Sequence, residues 1–157
     1  MADDREFLLR VYEASREVEL SILAWDAAQR RVFVEHQFEA QTQHYESEYN
    51  DTKHDLILFG NEPVGRLFVS RGDPAQIAIL DITILAQYRK NGIGTQLVND
   101  LKNEASVSGK SLRIFIEDFN PSQGLFRKLG FESVDTDTVN LRFEWRKTEF
   151  RKELTFC

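Results

Sequence analysis

The sequence predicts an α/β fold: a mixed, mainly antiparallel sheet with helices on both faces. Three observations predict it. Two segments near the start carry apolar residues at helical spacing. Three short runs rich in Ile, Val, Leu and Phe follow, with turn residues between them. The second half then alternates strand, helix, strand and helix before a closing pair of strands. Strands in hairpin order followed by a strand–helix–strand unit combine antiparallel and parallel pairs in one sheet.

Residues 1–20 read as the first helix. Asp3 and Glu6 have the spacing of a capping box, and Phe7, Leu8, Val11 and Val18 can share one face. Asp26 starts a second, longer helix with Val34, Phe38, Gln41 and Tyr45 on one stripe, and the pattern fades at "SEYND" (47–51). The period then changes. "DLILFG" (55–60), "VGRLFVS" (64–70) and "QIAILDITIL" (76–85), separated by "NEP" and "RGDPA", are three strands in hairpin order. Residues 93–107 form the next helix, closed by Gly109. "SLRIFIED" (111–118) is a strand, "NPSQGLFRKLG" (120–130) a short helix, and 131–134 and 139–145 a last hairpin around "DTDT" (135–138). Residues 147–157 form a charged tail, and the chain shows no repeat, linker or low-complexity segment.

The 157 residues, 41% hydrophobic and 29% charged, fit one globular domain with a single core, which the twelve phenylalanines help to fill. Apolar runs such as "LILF" (56–59) are far too short to span a bilayer. No apolar stretch follows a basic start, so no signal peptide is expected. With Cys157 the one cysteine, no disulfide framework can form, and a reducing cytoplasm is the expected compartment. Acidic residues outnumber basic ones 26 to 20, for a net charge of −6, which argues against nucleic acid as a partner and mildly favours cationic small molecules.

Against that balance, "QYRKNGIGTQLV" (87–98) concentrates Arg89, Lys90, Gly92 and Gly94 where a strand turns into a helix. The first N–H groups of a helix have no internal partner and carry the positive end of its dipole. Two glycines let such groups converge on one anion, and a phosphate fits there. A tight turn with ordinary surface charges uses the same residues. A dinucleotide fingerprint fits poorly, because its third glycine position holds Leu97, and a Walker loop fails because Thr95 and Gln96 follow Gly94.

The stretch "LDITILAQYRKNGIGTQLV" (80–98) closely resembles the acetyl-CoA-binding motif of the GNAT N-acetyltransferase superfamily. "NPSQGLFRKLGFE" (120–132) resembles that family's second signature, at the expected distance. The element order also matches, so the resemblance covers residues 3–146 as a single domain, with 147–157 as a tail. It implies acetyl transfer from acetyl-CoA to a primary amine by direct attack, the acceptor being a small molecule, a peptide or a protein. A non-enzymatic acyl-CoA sensor on the same fold is the alternative. It implies that Arg89, Lys90, Asn91, Gly92, Ile93, Gly94 and Thr95 cradle the coenzyme pyrophosphate. The strands at 76–85 and 111–118 would splay apart at an acyl-CoA cleft. Pantetheine would run along Ile82 and Ile84, with Phe126 packed beside its arm and Asn120 and Ser122 of the second signature also in the cofactor-binding set. A backbone N–H near Ile84 would receive the acyl oxygen.

Attack needs a neutral amine, so a base has to collect a proton. Asp81 and Glu117 are the candidate carboxylates, and strand carboxylates paired with arginine would look the same. Asn120 and Pro121 also suit the N-cap and first turn of a helix, and Gly130 its C′ position with Phe131 entering the core. Gly124 is unexplained by helix formation, and close approach of a ligand is one reason for it. His36, His44 and His54 lack metal-ligand spacing and read as surface histidines; no metal is expected. "DTDT" is either a solvated turn or an attraction for a cationic acceptor. Tyr45 and Tyr49 lie where the family places part of the acceptor pocket, or simply pack. Two departures stand out: the family's first strand is missing before Asp3, and Phe126 replaces a tyrosine commonly assigned as the acid for the departing thiolate. The oligomeric state is expected to be a monomer or a homodimer, the latter through "EFRKELTF" (149–156) on a sheet edge.

Overall fold

A computed structural model of the chain describes residues 2–117, 122–135 and 140–146. Three helices lead: α1 (Ala2–Ser15), α2 (Glu17–Leu20) and α3 (Ala27–Glu48). The expected helix over 1–20 is therefore broken. Ser15 Oγ donates to the Tyr12 carbonyl at 2.6 Å and the Arg16 N–H goes to Glu13 three residues back, so the ladder tightens into a turn at Arg16. Asp3 lies inside α1 instead of capping it. The capping box forms at α3, where the Asp26 carboxylate accepts the Gln29 N–H at 2.8 Å and the Gln29 side chain takes the Asp26 N–H. Leu9, Tyr12, Leu20, Val34 and Phe38 pack the helices together.

The sheet follows with β1 (Thr52–Phe59), β2 (Glu62–Ser70), β3 (Gln76–Ile84), β4 (Ser111–Glu117), β5 (Glu132–Asp135) and β6 (Asn140–Trp145). Its spatial order is β1-β2-β3-β4-β6-β5, with β3 and β4 parallel and the other neighbours antiparallel. Between β3 and β4 the chain makes a 3-10 turn (Ala86–Tyr88) and helix α4 (Ile93–Ser108), which ends on Gly109 as expected. The short helix α5 spans Gln123–Lys128, with Ser122 at its N-cap. It starts later than the expected 120, so Gly124 lies in its first turn, and Gly130 follows it at φ +93°. Asn120, Pro121, residues 136–138 of the "DTDT" turn with Val139 after it, and the tail from 147 fall outside the described residues.

α4 and α5 cover one face. Ile77 and Ile79 of β3, Leu112, Ile114 and Ile116 of β4 and Phe143 of β6 meet Val98, Leu101, Ala105 and Phe126 there. α1 and α3 cover the other face, over β2 and β3. There Arg66, 1% exposed, has its guanidinium carbon 5.4 Å from the ring of Tyr12 and 5.9 Å from that of Phe38. His54 of β1 belongs to this layer: its ring stacks on Phe68 at 4.3 Å and 14°, and its Nε2 is buried with no partner among the described residues. The expectation of a surface histidine thus fails for His54, while His36 and His44 are exposed.

Burial first, and the Arg66 charge second, push the His54 pKa down from 6.5 to about 4. The unfolded chain then binds the proton that the folded chain refuses, so stability is intact above about pH 6.5 and falls as pH drops toward 4. Urea midpoints measured across that window should decline, and His54→Phe should flatten the decline.

Candidate active site

β3 carries a bulge. Val69 of β2 pairs with Ile79, but Phe68 pairs with Asp81, so Leu80 has no partner on β2. A strand alternates its faces, and one extra residue inverts everything after it. Ile77 and Ile79 point at α4. Without the bulge Asp81 would follow them into that apolar layer. With it, Ile82 and Ile84 take the α4 side, and Asp81 and Thr83 turn to the α1–α3 side beside Phe68 and Arg66.

The parallel pairing of β3 with β4 also stops here. It runs from Gln76–Ser111 to Ile79–Ile114 and goes no further, although β3 continues to Ile84 and β4 to Glu117. The two strands splay from Leu80 onward, as the resemblance implied, and open a cleft with a different chemistry on each side.

On the α4 side lies the glycine turn. Lys90 sits at φ +67° and Gly92 at φ +78°, two left-handed residues that bring successive N–H groups round toward one point. A left-handed lysine is strained, which marks the turn as held by its surroundings. Asn91 holds it, its amide donating to the Tyr88 carbonyl at 2.9 Å, and Ile93 anchors it, buried among Ile57 and Val64. Gly92 is the N-cap of α4 and offers no side-chain acceptor, so the first-turn N–H groups of Ile93, Gly94 and Thr95 face outward without an intrahelical partner. A Cβ on Gly94 would meet only Ile84 Cδ1, at 3.4 Å. Arg89 and Lys90 are exposed at the mouth, and Arg89 Nε donates to the Ile84 carbonyl at 3.0 Å.

The α1–α3 side is polar. Asp81 Oδ2 accepts from Arg66 Nε at 2.7 Å and from Thr83 Oγ1 at 2.8 Å, and Arg66 Nη2 donates to Gln41 Oε1 at 2.7 Å. Asp81 is thus ion-paired with a buried arginine while its own side chain stays 24% exposed. Burial and then the Asp81 charge push the Tyr45 hydroxyl up to about 12, so it remains a neutral donor. Tyr45 packs edge-on to Phe68 at 5.2 Å and to Tyr49 at 6.3 Å.

Glu117 ends β4 opposite Asn140, on the far wall of the splay. Phe126 is 3% exposed and packs edge-on to Phe131 at 5.2 Å, in the layer that holds Ile116. A Cβ on Gly124 would meet nothing within 4 Å. Arg66 is the residue that sequence reasoning missed. The signal was present in the shift from Ile77 and Ile79 to Ile82 and Ile84, which predicts the bulge and hence that Asp81 faces its neighbours on β2. Among the described residues no group of three or more His, Cys, Asp or Glu could hold a metal ion, and no helix is long and apolar enough to cross a membrane.

A glycine turn on a helix N-terminus, set beside two parallel strands that splay at a bulge, defines an α/β class with an uncapped helix start at the head of an open cleft. Residues 19–131 match the acetyltransferase (GNAT) family, and the chain belongs to that family. Solved structures agree on the fold. PaiA N-acetyltransferase from Thermoplasma acidophilum, in complex with coenzyme A, superposes with a TM-score of 0.69 at 15% identity, over 92% of this chain and 94% of its own. An acetyltransferase from Thermus thermophilus gives 0.64 at 21% identity, over 91% and 90%. A GNAT family acetyltransferase from Elizabethkingia anophelis with acetyl-CoA bound gives 0.56 at 18% identity, over 67% and 83%. A comparison with curated protein sequences returns no match.

Proposed function

We propose that the protein transfers the acetyl group of acetyl-CoA to a primary amine by direct attack. The observation that carries this reading is the joint geometry of the uncapped, left-handed turn before α4 and the splay of β3 from β4. The N–H groups of Ile93, Gly94 and Thr95 would hold the pyrophosphate. The Ile84 carbonyl would exchange its bond with Arg89 for one from a pantetheine amide, which frees the guanidinium for phosphate. Ile82 and Ile84 would line the arm on the α4 side, with Ser122 opposite and Phe126 backing it from the core.

The acceptor would enter from the α1–α3 side. Its nitrogen bonds to the thioester carbonyl carbon, the carbon–sulfur bond breaks, coenzyme A leaves as a thiolate, and the nitrogen gives up one proton. Asp81, held by Arg66 and Thr83, and Glu117 on the facing strand are the carboxylates available for that proton. Asp81→Asn and Glu117→Gln should separate them: the variant that removes the base should lower turnover by about 10²–10⁴-fold with acetyl-CoA affinity retained. Free-thiol release from acetyl-CoA, followed over a panel of small amines, peptides and protein N-termini, tests the reaction itself. Turnover on at least one amine supports it, and binding without turnover on any favours the sensor.

Phe126 is the observation behind that second reading, since a phenyl ring has no proton to give. The magnitudes favour an active enzyme. A thiol has a pKa of about 8.5 and an alkyl amine one of about 10.4, so the thiolate departs readily unprotonated. Phe126→Tyr should therefore leave turnover no lower than in the parent and acetyl-CoA affinity within a few-fold. A tenfold loss of affinity would remove Phe126 from the cofactor-binding set, because it would mean the ring sits in a sealed part of the core.

A further inference from the structure

On the α1–α3 face, the paired part of β3 and β4 forms the floor of a cavity of about 320 Å³, which lies between the end of α3 and the β2–β3 turn, short of the splay. Tyr49, Gln76, Ala78 and Arg113 line it, with Glu48 and Asp73 at its exposed rim. Arg113 is the cation on that floor. Its Nε is buried without a partner, and no described residue forms a hydrogen bond or ion pair with its guanidinium. Its cross-strand neighbour Glu144 is engaged elsewhere, accepting from Gln76 Nε2 at 2.7 Å and lying 3.7 Å from Arg146 Nη2. What holds Arg113 instead is two rings: its guanidinium carbon lies 5.4 Å from the centroid of Phe115 and 5.9 Å from that of Tyr49. The side chain therefore leans along β4 toward Phe115, the first residue past the last β3–β4 pair, Ile79–Ile114. Two residues of strand place Arg113 about 7 Å from that mouth.

A half-buried guanidinium whose Nε is shut off from water and whose nitrogens have no partner among the described residues is a site for an anion. The glycine turn opens on the opposite face, so this anion is not one of the coenzyme's phosphates. We propose that Arg113 anchors a carboxylate or phosphate carried by the amine acceptor, a few bonds from the nitrogen that is acetylated. This rests on the amine-transfer reading and names its substrate class: ω-amino acids or amino phosphates, not simple alkylamines. Glu48 and Asp73 are exposed to water at the rim and leave the floor to the arginine.

Matched acceptors test it: pentylamine, 5-aminopentanoate and 4-aminobutylphosphonate, with kcat/KM from thiol release on the full chain. Equilibrium binding of the same three to the protein saturated with coenzyme A gives a second readout. One charge-assisted contact corresponds to about tenfold or more in both measurements. The parent should prefer an anionic amine by that factor, Arg113→Gln should bring the ratio near one, and Arg113→Lys should restore part of it. Acetyl-CoA affinity should be the same in all three proteins, which also shows that the variants fold. The better of carboxylate and phosphonate identifies the anion. A preference that survives in Arg113→Gln, or a parent that favours neither anion in rate or in binding, overturns the proposal. Arg113-dependent binding with no turnover on any amine would overturn the transferase reading and leave the anion site standing.

Discussion

Gly94→Val abolishes acetyl-CoA binding while the protein stays folded. The position is in the first turn of α4, where a Cβ meets only the tip of Ile84 at 3.4 Å, and valine is a better helix former than glycine. Thermal stability should therefore change little. The branched side chain would instead stand over the N–H groups of the first turn and fill the proposed phosphate seat. Losing two charge-assisted hydrogen bonds to phosphate corresponds to about 3–6 kcal/mol, or an affinity loss of at least about 100-fold. Calorimetric titration of the variant checks it. If Gly94→Val binds acetyl-CoA as the parent does, the loop is only a turn.

Asp81→Ala destabilises the protein by about 3 kcal/mol. Arg66 is 1% exposed, and removing its carboxylate leaves a buried charge with Gln41 as its remaining hydrogen-bond partner. Breaking one side of a buried pair costs about 3–5 kcal/mol, and the 24% exposure of Asp81 sets the expectation at the lower end. Replacing both residues together, as Arg66→Met with Asp81→Leu, should recover most of the loss, because an apolar pair of similar volume carries no desolvation penalty. Urea denaturation of the two variants measures both effects.

The sequence made the scaffold legible where a local signal coincided with the global need. Asp26 starts α3, Gly109 closes α4, and the hairpin order of β1 to β3 is written in "NEP" and "RGDPA". The glycine turn was legible because left-handed backbone and an uncapped helix start demand particular residues there. The polar α1–α3 side was not. Asp81 acquires its face from a bulge, Arg66 reads as one more strand residue, and Arg113 gains its meaning from Glu144 being engaged elsewhere, all of which depend on pairing distant in sequence. The break at Arg16 escaped for the opposite reason. It turns on a Ser15 hydroxyl competing with the helix ladder, and a serine late in a helical pattern is compatible with either outcome.

Direct titration of the purified protein with acetyl-CoA tests the central claim, that the turn before α4 and the splay of β3 from β4 form an acyl-CoA site. Dephospho-CoA and free pantetheine serve as controls. The geometry predicts saturable binding of acetyl-CoA, retained by dephospho-CoA because the pyrophosphate is the anchored group, and much weaker binding of pantetheine, which lacks it. No binding of acetyl-CoA at millimolar concentration, or equal binding of pantetheine, would contradict it.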